Sequence, residues 1–556
     1  MPIVHHYTDK QTRKFTFTIL IYTLIILVIL LIAAISYNKL PKKDPQTDTT
    51  TTKRTICISN NVVQDIADVI ASYDTNNYTI NSNGTCDIYI GRNVSDPNDY
   101  QKIFSKIYVL AKRYDNTLSN VTLDQFNTIL NNQAISKTKY TTVWDSKTDN
   151  YLRTKFSMGV GQVTTTTDNI SNMLNKTNNN SIAIIPFEQL TAGYSLISID
   201  GNSPLSKDFN SVKYPLIDTY WIKDEDKKEL EQITDYLNKQ VQFNNYDPSK
   251  LTSIILTGSS SIGSGEQDAI YTAHNDNMYL LNPFLVTLLN TDILQINNEN
   301  TFTDNCTQNK LSNFLCSKPK YIDILTKLNT TVVGVNGNHI LDYGLDAYTN
   351  TLKIYKENGI KYYGGGNNST ESNTPVIVQK NGNKIAFLGY NFLYPFSYYA
   401  TKTKPGSANI DSTILQRDIQ NAKKQADIVV VDMGWGYEDR TTLLQYQKDF
   451  ALQAIQYGAD IVIGTNSLIP QKLSINNDNG NSNNQNNSVS LVAYGLGSFM
   501  PSNLDKLRKN GSLILKVYVY NGKMIATDVI PLTLDANNLL QLAGGSLKDR
   551  ILQSIR

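Results

Sequence analysis

Between residues 251 and 534 the chain places short, almost unbroken apolar runs between glycines, asparagines and acids. They read TSIILTG, DILQINN, TVVGVNG, KIAFLGYN, DIVVVDMGWG, DIVIGTN and SLVAYGLGSF. Runs of this kind, rich in Val and Ile, suit strands covered on both faces, whereas a one-sided sheet alternates apolar with polar residues. Helical patterns over residues 344–358 and 442–457 separate several of the runs. The alternation predicts an α/β domain over residues 250–535, followed by a C-terminal tail, residues 536–556.

Residues 55–245 form a second α/β block. Short runs such as TICISN, CDIYIG and SIAIIPFEQL alternate with the helical patterns NVVQDIADVIASY and TLDQFNTIL. Its last element, residues 224–241, sets Leu230, Ile233, Leu237 and Val241 on one stripe behind an acidic first turn. A chain of 556 residues with 40% apolar content is long enough for two such cores.

Ahead of both blocks, residues 15–38 carry no charge, and their core LIYTLIILVILLIAAI is long enough to cross a hydrocarbon layer of about 30 Å. A cleavable signal peptide would have a shorter apolar region and a small-residue cleavage site, so the segment reads as an uncleaved transmembrane anchor. Residues 1–14 are then a cytoplasmic tail. Residues 39–54, with PKKDPQTDTTTT, form a polar linker. Basic residues flank both ends of the span (Lys10, Arg13, Lys14; Lys39, Lys42, Lys43), so charge does not set the orientation.

Cysteine usage does favour one side. Cys57, Cys86, Cys306 and Cys316 are an even set without CxxC spacing. If Cys57 and Cys86 lie on neighbouring strands they can meet, and Cys306 to Cys316 would close a short loop. Disulfides fit an oxidising compartment, with the bulk of the chain extracytoplasmic. Fifty-one basic residues against 49 acidic ones, spread along the chain, give no footprint for nucleic acid.

The chain has only four histidines, His5, His6, His274 and His339. His339 follows Asn338 in VVGVNGNHILDYG, a strand running into a turn and a helix start, which can present an amide oxygen and an imidazole together to a metal ion. His274, in YTAHNDN, reads as a surface helix residue. Glu299 has a competing role as a cap and Asp342 as a helix N-cap, while His339 can instead order its loop by hydrogen bonds. No GxSxG, HExxH or CxxC pattern supports serine hydrolase, zincin or thioredoxin chemistry.

Five stretches carry a family likeness in order: NNE (Asn297, Glu299), GNHILDYG (Asn338, His339, Asp342), WGYE (Trp435, Glu438), GADIVIG with Gln471, and YGLGSF. Together they resemble the CapA family, capsule or poly-gamma-glutamate synthesis proteins. That resemblance implies a metallophosphatase-like, layered α/β/β/α domain with metal ligands at the strand ends. The block before it resembles a periplasmic-binding-protein-like domain, on VTLDQF, IAIIPFEQL and IDGNSPLSKDF.

Compared with the family pattern, the ligand set is incomplete. Ser259 stands where the resemblance implies Asp, Gly434 where it implies His, and Thr465, Asn466, Ser467 and Leu468 where it implies a His-rich turn. Glu299, Asn338 and His339 remain, enough for one weakly held divalent ion such as Mn, Zn or Mg. Together with the uncharged segment and the cysteines, which give a membrane-anchored, single-pass protein of a bacterial envelope, the resemblance implies a partner that is a cell-surface polymer or its synthesis machinery, and the incomplete ligand set a catalytically degenerate site. The alternatives are an active metal-dependent hydrolase or transferase using His339 and Asn338, and an extracellular solute-binding receptor. For the receptor, residues 55–245 are few for two full lobes.

Overall fold

Residues Ile428–Gly434 are buried at every position, and so are Ile461–Thr465 and Ser490–Ala493. The reason is that both faces of their sheet are covered. In the computed structural model, which describes residues 53–556 except 63, 82–84, 95–98, 157–163, 166–169, 171–173, 175–179, 241–243, 308–313, 394 and 477–488, these strands pair in parallel beside Asn383–Asn391. Val376–Lys380 and Leu473–Asn476 close the two edges of this six-stranded sheet antiparallel.

A second sheet runs Lys361–Tyr363, Val332–Gly334, Ile293–Asn298, Leu251–Ser260, Ser512–Tyr520, Lys523–Leu534 and Leu540–Leu542. Its first four strands are parallel and the last three antiparallel. Side-chain alternation sorts each strand between two cores. Ile254, Leu256, Val430 and Ile463 meet in an apolar layer between the sheets. Ile255 and Ile296 face helices such as Gly344–Glu357 on one outside, and Val429, Val431 and Val462 face Ser412–Lys423 and Gln445–Tyr457 on the other. The C-terminal domain is mixed α/β in four layers.

Residues 536–556, expected as a tail, belong to this domain. Leu540–Leu542 adds a strand, and the helix Gly545–Ser554 buries Ile551 and Leu552 in the inter-sheet core. The apolar spacing in KDRILQSI makes one sticky face, which buries itself.

The N-terminal domain also differs from expectation, because its residues build two cores. Ile56, Ile66, Ile88, Tyr220 and Leu237 form one; Leu110, Phe126, Trp144, Ile184 and Leu216 form the other. The long strand Gln101–Arg113 carries the chain from the first to the second, and Ile217–Lys223 brings it back within one continuous sheet. At that joint Arg92 grips Asp218 through two contacts of 2.8 Å, both side chains almost wholly buried. Cys57 is joined to Cys86 and Cys306 to Cys316.

The two domains share packing. Tyr518, Ile525 and Ala526 of the C-terminal hairpin lie in the second N-terminal core, Ser195 Oγ donates to Asp528 at 2.5 Å, and Arg556 Nε donates to Asp115 at 2.8 Å. The expected transmembrane span, nearly all of its linker and the Asn-rich stretch 477–488 lie outside the described residues. Among the described residues no helix is long and apolar enough to cross a membrane.

Candidate functional site

Parallel strands with short loops bring their carboxyl ends to one edge of the two-sheet domain, where ligands of such sheets collect. Val332–Gly334 leads there into Asn336, Gly337, Asn338 and His339. Gly337 is required because a Cβ on it would lie 2.4 Å from the Cβ of Glu299. That close approach sets the imidazole loop against the loop after Ile293–Asn298.

His339 Nδ1 lies 2.6 Å from Asp342 Oδ2. Asp342 also accepts from the Leu315 backbone N–H at 2.8 Å and the Tyr398 hydroxyl at 3.1 Å. The carboxylate is therefore an orienting group for the ring and not the helix cap that sequence allowed; Tyr343 occupies the cap of Gly344–Glu357. Burial alone would lower the His339 pKa, but the bond to Asp342 and the charges of Glu299, Asp342 and Glu438 together raise it.

Glu299 is 7% exposed, and its Oε1 accepts from Ser261 Oγ at 2.8 Å. Burial raises its pKa against the opposing pull of His339. Among the described residues Asn338 Oδ1 is buried without a hydrogen-bond donor. Glu438 stands exposed at the rim and pairs with Lys506 at 2.8 Å, while Trp435 is buried and donates from Nε1 to the Tyr494 carbonyl. Exposed His274 stacks on Tyr279, with ring centroids 3.6 Å apart.

Beneath this loop cluster lies a carboxylate that the sequence reading missed. Asp432, fully buried, accepts from Tyr363 Oη at 2.8 Å, Asn297 Nδ2 at 3.0 Å and Thr465 Oγ1 at 3.0 Å. Tyr363 and Asn297 belong to one sheet and Thr465 to the other, so Asp432 stitches the two together. Asn297 also reaches Asn336 Oδ1 at 3.1 Å, and Gln295 Nε2 donates to Tyr363 at 2.8 Å. Burial raises the pKa of Asp432 even against these donors. A single acid inside the apolar run IVVVDMG was the available signal, since a buried carboxylate demands partners.

The residues that stand where the resemblance implies ligands missing from this chain make hydrogen bonds within the protein. Ser259 Oγ accepts from the Asn466 backbone N–H at 2.9 Å, Asn466 Nδ2 donates to the Gly436 carbonyl at 3.1 Å, and Ser467 Oγ donates to the Ile469 carbonyl at 2.8 Å. Asn466 and Leu468 take left-handed φ of 89° and 59°. Glu299, Asn338 and His339 offer one carboxylate, one amide oxygen and one imidazole. Among the described residues no group of three or more His, Cys, Asp or Glu side chains is placed to hold a metal ion. This donor set does not fit a two-metal hydrolytic centre, which needs ligands bridging both ions.

Residues 253–502 match the family model described as bacterial capsule synthesis protein PGA_cap. Among curated proteins, the capsule biosynthesis protein CapA of Bacillus anthracis is 26% identical over 245 residues, covering 43% of this chain and 57% of that protein. The PGA biosynthesis protein CapA of Bacillus subtilis is 28% identical over 201 residues, covering 36% and 50%. This region is thus similar to CapA proteins, and the chain spans about half the length of the curated relatives it matches. The calcineurin-like phosphoesterase YfkN of Bacillus subtilis, 15% identical and covering 55% of this chain and 96% of that one, gives a TM-score of 0.31.

Proposed function

We propose that this chain is a membrane-anchored, extracytoplasmic protein serving the synthesis or attachment of a capsule or poly-gamma-glutamate-type polymer, and that it does so by binding or assembly and not by metal-dependent hydrolysis. The carrying observation is the bond from the Asn466 backbone to Ser259 Oγ, which occupies two of the positions where the resemblance implies ligands. The capsule and PGA biosynthesis roles of the similar CapA proteins support the polymer. Two disulfides support an oxidising compartment, and the uncharged residues 15–38 support the anchor.

The test is a deletion strain complemented with the wild-type gene or with His339→Ala, scored for surface polymer. Loss on deletion and restoration by His339→Ala are expected. Unchanged polymer on deletion would retire the polymer role; failure of an abundant His339→Ala protein to restore it would favour an enzyme. That second reading draws on the unpartnered Asn338 Oδ1 and the Asp342-held imidazole, which suit one ion and a proton-transferring ring.

A further inference from the structure

The starts of the C-terminal domain's strands, at the edge opposite the site above, meet the N-terminal domain around a cavity of about 490 Å³. Ser253 borders it and Ser259 belongs to the other end of the same strand, about 20 Å away at the rise of an extended chain. The size and the position between two domains are those of small-molecule sites.

The walls are held in place. Tyr246 Oη donates to the Pro204 carbonyl at 2.7 Å and packs edge-on against Phe209, fixing the loop IDGNSPLSKDF that the sequence singled out. Lys207 crosses to the other domain, donating to the Thr291 carbonyl at 2.8 Å and lying 3.2 Å from Asp292. Asp292 is in turn satisfied by Ser253 N–H and Oγ, each at 2.8 Å. The acid of the cavity is thus neutralised by groups in its own wall.

Of the remaining polar groups in the lining, Asn381 donates from Nδ2 to the Leu251 carbonyl at 2.5 Å. Among the described residues the Lys102 ammonium has no partner, and the side-chain hydroxyls of Ser105 and Ser206 make no hydrogen bond. One ammonium and two hydroxyls beside the Phe209 and Tyr246 rings match a carboxylate joined to an apolar segment.

We propose that this cavity binds an organic carboxylate carrying a short methylene chain, of the kind a γ-linked glutamate oligomer repeats. The oligomer as source rests on the function proposed above; the carboxylate site does not. The repeat unit supplies a carboxylate for Lys102, amides for the serine hydroxyls and two methylenes for the rings.

Calorimetric titration of the full chain at low salt, with a γ-glutamyl tetramer, free L-glutamate and inorganic phosphate as separate probes, tests it. The tetramer is expected to bind and to weaken as salt screens the Lys102 charge. Lys102→Glu should weaken it at least tenfold, and Ser206→Trp, which fills the cavity, should abolish it, with both variants melting like the wild type without ligand. Binding of free glutamate alone would keep the site and remove the oligomer as its source. No heat with either carboxylate, or phosphate binding alone, overturns the site. Tetramer binding unchanged in both variants also overturns it while leaving the polymer role standing. A cavity that binds the tetramer in a protein whose deletion leaves surface polymer intact would instead overturn the polymer role.

Discussion

Replacing Asp432 by Val tests whether a buried carboxylate locks the two sheets together under the site. The substitution removes one acceptor from three donors, but the donors are not equally stranded. Thr465 Oγ1 has the Met433 carbonyl at 3.5 Å, and Asn297 Nδ2 keeps Asn336 Oδ1 at 3.1 Å. Among the described residues Tyr363 Oη, fully buried, has no second acceptor. One orphaned hydroxyl costs about 1–3 kcal/mol and two weakened bonds roughly 0.5 kcal/mol each, so the expected loss is about 2–4 kcal/mol. In a domain of this size that lowers the melting temperature by roughly 3–6 °C.

Removing the orphan as well, in Asp432→Val with Tyr363→Phe, should cost less than the sum of the single changes by about 1–2 kcal/mol. Acid adds an independent signature. The folded pKa of Asp432 lies above its ordinary 3.8, so the folded chain holds this proton more tightly than the unfolded chain. Its contribution is therefore complete below about pH 4 and fades as pH rises through the folded value. The gap between wild type and Asp432→Asn, which cannot ionise, should narrow over that rise. Thermal melts followed by circular dichroism read both effects; additive single changes, or a gap that widens with pH, would refute the stitching role.

His339 runs on the opposite logic, because its raised pKa makes the pairing with Asp342 strongest when the ring is charged. The stabilisation is complete below the ordinary 6.5 and lost as pH rises through the folded value. His339→Ala should thus cost more stability at pH 5.5 than at pH 9, measured by urea midpoints; equal costs would contradict the pairing. At the joint of the N-terminal domain, Asp218→Ala leaves the Arg92 guanidinium buried and unpaired and should cost about 3–5 kcal/mol, whereas Arg92→Met with Asp218→Leu should recover most of it. Urea unfolding checks both, and a single variant costing under about 1 kcal/mol would refute it.

The strands of the C-terminal domain were legible because two-sided burial writes itself as unbroken Val and Ile runs; IVVVDMG and IVIGT are strands as expected. The helix expected over residues 442–457 starts at Gln445, since the preceding residues contribute no helical turn. The N-terminal domain was harder to read. Its two cores share one sheet through Gln101–Arg113, and local pattern does not report which half of a strand faces which core. At the site, His339 and Glu299 stood out by scarcity and motif. Asp342 was ambiguous because a residue just before a helix caps or orients with equal ease, and only the fold decides. Asp432, Asn297 and Tyr363 meet from positions up to 135 residues apart, a convergence no local spacing announces.

Hydrogen bonds within the protein close the strand-end loops, as between Ser259 and Asn466, and the proposed binding role needs no catalytic ions there. Elemental analysis of the purified full chain, as wild type and as His339→Ala, tests it most directly. Under about 0.2 equivalents of Mn, Zn or Mg are expected in both proteins, with no phosphoesterase activity when these metals are added back. One or more equivalents in the wild type, lost in His339→Ala together with a measurable activity, would contradict it.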